Sequence, residues 1–238
     1  MTKKPSLGVI VPIFNEEKYL EESVGRLLKI NSINQIILVD DSSNDGSFKL
    51  AKKLEEKNKI IQVLKTTENL GKGNAVKTGI EILDTDYVVV HDADLEYFPE
   101  DIAEMFEVSL QNPNNLILGS RTIGEKERNN LYYFTYLGNK IFSYIFSILN
   151  SYKVSDIASC YWLLEVEKLK RIDIQEKGFA IEVEVLSKYL KKNKKIIEVP
   201  ISYDGRLFSE GKKINLRDGL LILLKIIKYS KLFSINKI

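Results

Sequence analysis

The stretch Tyr87-Val88-Val89-Val90-His91-Asp92-Ala93-Asp94 joins a short apolar run to two carboxylates one residue apart. A run this short, with no apolar–polar alternation, reads as a strand buried on both faces. Two carboxylates at its carboxyl end repel one another unless a cation neutralises them. A hard divalent ion, Mg²⁺ or Mn²⁺, shared with phosphate oxygens is the usual solution, and Glu96 adds a further oxygen nearby. His91 points to the opposite face of the strand from Asp92 and is read as structural.

Working outward, short aliphatic runs at 7–13, 35–39, 60–65 and 116–119 read as further buried strands. Between them, 18–29, 47–57, 72–83 and 99–111 carry apolar residues at helical spacing, with Pro99 suited to a helix start. The alternation predicts an α/β chain: a mostly parallel central sheet with helices on both faces. Ligands bind such sheets at the carboxyl ends of the strands. Phe14-Asn15-Glu16-Glu17, Asp40-Asp41-Ser42-Ser43 and Asp92-Ala93-Asp94 should therefore converge on one edge. Asp41 sits where an acidic residue can accept from a ribose or a base. Asn69-Leu70-Gly71-Lys72-Gly73-Asn74 opens a helix, and its glycines, helix N-terminus and Lys72 together favour an anion. The GxxxxGK[ST] and GxGxxG spacings are both absent, which argues against a P-loop enzyme and a dinucleotide oxidoreductase. A nucleotidyltransferase would want a glycine-rich phosphate loop where Pro12-Ile13-Phe14-Asn15 stands.

Hydrophobic residues at 44% and charged residues at 29% place the chain among ordinary globular proteins. A single cysteine, Cys160, allows no internal disulfide and fits a reducing cytoplasm. No apolar run approaches the roughly 18 residues that a spanning helix needs. The net charge of +2 hides an asymmetry: residues 188–238 hold 13 Lys/Arg against 4 Asp/Glu. A basic end expects an anionic partner. With no nucleic-acid recognition motif present, phosphate or an anionic lipid surface is the expected one. Residues 130–149 read as one or two aromatic, apolar helices, 181–192 as a further helix and 196–201 as a strand. In 216–231, Leu220, Leu221, Leu223, Leu224 and Ile227 lie near Lys225, Lys228 and Lys231, the pattern of a helix lying in a headgroup region. The expected division is a catalytic domain over 1–215 and a basic amphipathic helix over 216–238.

Several of these stretches occur together, in order, in one known family. They are Val9-Ile10-Val11-Pro12-Ile13-Phe14-Asn15-Glu16-Glu17, Val39-Asp40-Asp41-Ser42-Ser43-Asn44-Asp45-Gly46-Ser47, Asn69-Leu70-Gly71-Lys72-Gly73, Asp92-Ala93-Asp94 and Gly119-Ser120-Arg121. Ser155-Asp156 leading to Cys160-Tyr161, Gly178-Phe179 with Glu182 and Glu184, and Glu198-Val199-Pro200-Ile201 continue the series. From about residue 6 to residue 219 the chain resembles glycosyltransferase family 2, and within it the polyprenyl (dolichyl) phosphate sugar transferases. The resemblance implies a GT-A fold, a Rossmann-like three-layer sandwich, and inverting transfer from a nucleotide diphosphate sugar. It assigns Pro12, Phe14, Asn15, Glu16 and Asp41 to the nucleoside side of the donor and makes Asp94 the principal metal ligand, with Asp92 and Glu96 beside it. Lys72, Arg206 and Lys212 would face the donor diphosphate, the last two in a basic loop that closes over it. Arg121 would face the acceptor phosphate. Where relatives tend to read Asp-Met-Glu-Thr-Cys-Tyr-Lys, this chain has Asp156-Ile157-Ala158-Ser159-Cys160-Tyr161-Trp162. That change bears on the acceptor.

The partners implied are a GDP- or UDP-sugar carrying mannose or glucose, a polyprenyl phosphate and the inner face of the cell membrane, with room for a separate anchor protein or a second copy of the chain. A lipid phosphate is already an anion and needs no strong base. The alternative acceptor, a sugar hydroxyl, would need a carboxylate to take its proton, with Asp156 as candidate and Glu182 as helper.

Overall fold

A computed structural model describes residues 4–129, 133–192, 194–206 and 216–234. The first half alternates as expected: β1 (Leu7–Ile13), α1 (Leu20–Leu27), β2 (Ile33–Asp40), α2 (Ser47–Lys57), β3 (Ile61–Lys65), α3 (Lys72–Glu81), β4 (Tyr87–Val90), α4 (Asp101–Gln111) and β5 (Leu116–Ser120). The second half adds β6 (Arg128–Asn129), α5 (Tyr133–Asn150), β7 (Trp162–Glu165), α6 (Val166–Lys170), α7 (Ile181–Lys191), β8 (Ile196–Pro200), β9 (Tyr203–Asp204), α8 (Leu216–Tyr229) and α9 (Lys231–Ser234).

Seven strands form one sheet in the order β3-β2-β1-β4-β7-β5-β8, with β6 and β9 paired separately. Every neighbour in the large sheet is parallel except β7, which runs antiparallel between β4 and β5. Sequence reading missed β7: four residues flanked by Cys160-Tyr161 and a short helix carry too little pattern to stand out. Successive strand residues point to opposite faces, so each strand feeds two cores. Val9, Val11, Ile36, Val89 and Leu163 pack with α1, α2 and α4. Ile10, Ile37, Val88, Val90 and Trp162 pack with α3, α5, α6, α7 and α8. The result is the three-layer sandwich anticipated.

The helix that follows residue 215, α8, packs against α5 and α7. Ile226 of α8 is fully buried in the same core as α3 and α7, and Tyr229 is buried beside it. Among the described residues no helix is long and apolar enough to cross a membrane.

Because β1, β2 and β4 are parallel and in register, their carboxyl ends deliver the loops after Ile13, Asp40 and Val90 to one edge. The first two loops are knitted together. Ser47 Oγ accepts from the Glu16 N–H, Glu17 Oε2 accepts from the Gly46 N–H, and Asn15 Oδ1 accepts from the Asn44 N–H. The start of α3 is fixed equally closely. Gly71 takes a φ of +99°, and a Cβ on Gly73 would sit 2.3 Å from the Glu176 carbonyl oxygen. Gly73→Ala is therefore expected to lower stability by about 1–3 kcal/mol, as overpacking does, and urea denaturation checks it.

Candidate active site

At that edge lies a cavity of about 460 Å³, within the range of small-molecule sites. It is lined by Pro12, Phe14, Glu16, Asp41, Lys72, Asp92, Asp94, Glu96, Arg121 and Arg206 from the expected set. Asn15 is not among the lining residues; with φ +55° it shapes the loop through its bonds to Ser43 and Asn44. Asp156 lies behind the wall, and Lys212 lies outside the described residues.

Asp41 is an organiser of the phosphate-side loop as well as a wall. Its Oδ2 accepts from the Gly71 N–H at 2.6 Å, and its Oδ1 accepts from Thr66 Oγ1 at 3.0 Å and the Leu70 N–H at 3.3 Å. Three accepted bonds leave about one lone-pair site for a nucleoside hydroxyl.

Lys72 departs from its expected role. Its Nζ stands 2.9 Å from Asp92 and 2.8 Å from Glu182, and all three side chains are largely shielded. Burial lowers the affinity of this ammonium for its proton, but Asp92 and Glu182 outweigh that and hold the pKa well above the usual range. Burial would raise Asp92, and Lys72 overcomes it, keeping that carboxyl below its ordinary value. Glu182 stays above its ordinary value because burial exceeds the pull of Lys72. Lys72 is thus a counter-ion shared by Asp92 and Glu182 in this structure.

Asp94 and Glu96 face elsewhere, toward Arg206. Burial, then Asp92, then Glu96 push Asp94 up to about 7, against the opposing pull of Arg206. A carboxyl so destabilised in its charged form is one that further positive charge would stabilise. No three His, Cys, Asp or Glu side chains converge as a preformed metal cage among the described residues. Two carboxylates with the remaining places taken by diphosphate oxygens and water is how Mg²⁺ is commonly held, so the donor set fits such an ion.

On another wall, Arg121 and Asp156 form a saturated pair. Asp156 Oδ2 accepts from the Arg121 backbone N–H and Nε, both at 2.8 Å, while Oδ1 accepts from Arg121 Nη2 and Asn139 Nδ2, also at 2.8 Å. Four donors fill the roughly four lone-pair sites of a carboxylate. Burial would raise this carboxyl, but Arg121 dominates and holds it below its usual range. Asp156, the base candidate under a hydroxyl acceptor, is fully buried, with its oxygens taken up by Arg121 and Asn139. The Arg121 guanidinium also packs over the rings of Tyr203, at 4.9 Å, and Tyr97, at 5.6 Å.

Sequence reasoning did not find Asn139, Tyr97 or Tyr203. Asn139 is one of several polar residues of α5, with Thr135, Lys140, Ser143, Ser147 and Asn150, and did not stand out among them. The tyrosines left no trace, since their role depends on which guanidinium they meet.

His91 is buried, with Nε2 2.9 Å from Ser23 Oγ and Nδ1 2.7 Å from the Tyr161 hydroxyl. Burial lowers its pKa to about 4. Between about pH 6.5 and 4 the unfolded chain binds this proton and the folded chain does not, so stability is complete above 6.5 and falls as pH drops toward 4. The loss is expected to be about 3 kcal/mol and absent from His91→Gln. His91 is the sole histidine in the sequence, so its imidazole signal in NMR titration checks the shift without ambiguity.

The chain belongs to glycosyl transferase family 2, whose model matches residues 8–173, and it is a glycosyltransferase. A UDP-N-acetylglucosamine–dolichyl-phosphate N-acetylglucosaminyltransferase of Methanococcus voltae is 32% identical over 92% of this chain and 94% of its own length. An uncharacterized Methanocaldococcus jannaschii protein is 28% identical over 94% of this chain and 92% of its own. A dolichol-phosphate mannosyltransferase of Pyrococcus furiosus is 30% identical over 87% of this chain, which spans 58% of that relative. Among solved structures, glucosyl-3-phosphoglycerate synthase of Mycobacterium tuberculosis, in complex with Mn²⁺, UDP and glucosyl-3-phosphoglycerate, matches with a TM-score of 0.71. It is 15% identical, over 95% of this chain and 80% of that one, a likeness that shows the shared GT-A fold.

Proposed function

We propose that this glycosyltransferase moves a sugar, with inversion, from a nucleoside diphosphate to a polyprenyl phosphate at the inner face of the cell membrane. The observation that carries the reading is the Arg121–Asp156 pair. It presents a fixed cation to the cavity while leaving Asp156 no capacity to act as a base. An acceptor that arrives as an anion needs the first and not the second. The relatives named for dolichyl phosphate point the same way.

In this reading Phe14 and Asp41 line the nucleoside end, and Asp94 with Glu96 would hold Mg²⁺ or Mn²⁺. A divalent ion there would supply charge to the departing diphosphate. Arg121 offsets the repulsion between the acceptor phosphate and the donor. Asp92, fixed by Lys72, faces the same cavity and orients the donor sugar.

The membrane part of the reading rests on α5, α8 and α9. The cavity reaches Tyr136 and Asn139 of α5 and Ile222 of α8. The same helices expose Leu137, Ile141, Tyr144 and Ile148 on α5, and Leu220, Leu221 and Leu224 on α8, with Leu232 and Phe233 beyond. An apolar face edged by Lys225, Lys228 and Lys231 suits an anionic lipid surface. Liposomes containing anionic lipid should float the protein at low salt, and Leu220→Glu with Leu224→Glu should leave it unfloated.

Radiolabelled transfer tests the donor. GDP-mannose, UDP-glucose and UDP-N-acetylglucosamine are offered with undecaprenyl phosphate in detergent, with Mg²⁺ and with Mn²⁺. Organic-extractable product from one donor supports the proposal; none from any of them counts against it.

A further inference from the structure

The carboxylate cluster suited to a metal already holds a cation. The Arg206 guanidinium lies 3.0 Å from Asp94 Oδ2 through Nη2, 3.4 Å from Glu16 Oε2 through Nη1, and 3.6 Å from Glu96 Oε1 through Nε. The Arg206 backbone N–H donates to Glu96 Oε1 at 3.0 Å, and the Tyr203 hydroxyl donates to Glu96 Oε2. The flat face of the guanidinium lies 5.2 Å from the centre of the Tyr19 ring. Two guanidinium nitrogens thus bond Asp94 and Glu16, while Glu96 is bonded by the Arg206 backbone N–H.

The seat cannot hold both cations. A divalent ion bonds carboxylate oxygen at roughly 2.0–2.2 Å, and Asp94 Oδ2 already accepts from Arg206. Two positive centres on one carboxylate repel strongly at such separation. The chain before Arg206 is pinned by the pairing of β6 with β9 and by the Gly205 N–H, which donates to the Asn129 carbonyl at 3.0 Å.

We propose that Arg206 is a built-in stand-in cation that occupies the metal seat of Asp94 and Glu96, with Glu16 alongside, until a divalent ion arrives with a nucleoside diphosphate, and is then displaced onto that diphosphate. The inference rests on the metal-dependent donor site proposed above and adds an order to it. A metal ion alone must evict Arg206 and give it no new partner, so it binds weakly. A metal ion with a diphosphate supplies that partner, so the two ligands bind cooperatively. By linkage each tightens the other by the same factor. The device keeps the carboxylates compensated between turnovers and ties metal capture to donor capture.

The test is Mn²⁺ titration of the metal-free full chain, followed by electron paramagnetic resonance, for the wild type, Arg206→Gln and Arg206→Lys. Each is measured alone and with UDP or GDP. Without nucleotide, Arg206→Gln is expected to bind Mn²⁺ at least tenfold more tightly than the wild type, with Arg206→Lys between them. Nucleotide is expected to tighten Mn²⁺ binding tenfold or more in the wild type and much less in Arg206→Gln. Arg206→Lys keeps a charge in the seat and so guards against a variant that fails to fold. Equal Mn²⁺ affinities for wild type and Arg206→Gln without nucleotide would overturn the stand-in role while leaving the donor site intact. Absence of Mn²⁺ binding in every variant, with nucleotide and without, would overturn both.

Discussion

Asp94→Ala is expected to lower kcat for sugar transfer about a thousandfold, the scale lost when a principal electrostatic stabiliser of a transition state is removed. The argument is one of placement. Of the acidic residues after β4, Asp92 is committed to Lys72, whereas Asp94 and Glu96 face the seat that Arg206 occupies. Stability should move the other way. Asp94 carries a charged form disfavoured by burial and by Asp92 and Glu96, so Asp94→Asn should melt no lower than the wild type at pH 8. Loss of activity together with loss of stability would mean that Asp94 is a framework residue and not a functional one. Calorimetry beside the transfer assay separates the two.

The second large effect is expected at Asp156. Asp156→Asn replaces one acceptor oxygen by an amide donor and leaves the buried Arg121 guanidinium without its full counter-charge. Breaking a buried pair in this way costs about 3–5 kcal/mol of stability. Its kinetic signature should match that of Arg121→Ala, with a KM for the lipid phosphate raised by about 10²-fold and a pH–rate profile of unchanged shape between pH 6 and 8. A general base would behave otherwise. Its loss would fall on kcat and remove the acidic limb of the profile. In the wild type Arg121 holds Asp156 below the usual carboxylate range, so Asp156 is ionised throughout that window.

The parallel part of the fold was legible because it is written in runs. β1, β2 and β4 are unbroken aliphatic stretches, and the helices between them carry apolar residues at helical spacing. The convergence of Glu16, Asp41 and Asp94 then follows from topology alone, since parallel strands send their following loops to one edge. What sequence could not carry was pairing. Asp92 and Asp94 look equivalent in the chain, yet Lys72, at the first turn of α3, reaches only the former. Asp156 stands among residues that suggest a catalytic carboxylate, but Arg121 and Asn139, distant in sequence, use up its oxygens. The antiparallel β7 was lost for a related reason: its identity as a strand comes from its neighbours β4 and β5 and not from its own four residues. Likewise α8 reads as a separate amphipathic tail because half of its surface is apolar outward, while the burial of Ile226 depends on α3 and α7 being there to receive it.

The claim that a lipid phosphate is the acceptor is tested most directly by offering undecaprenyl phosphate and undecaprenol side by side with the active donor, each in the same detergent. The expected result is glycosylated product from the phosphate alone, with the phosphate's advantage over the alcohol abolished in Arg121→Ala. Transfer to undecaprenol, or to a sugar hydroxyl at a comparable rate, would contradict it and return a proton-accepting group to the mechanism.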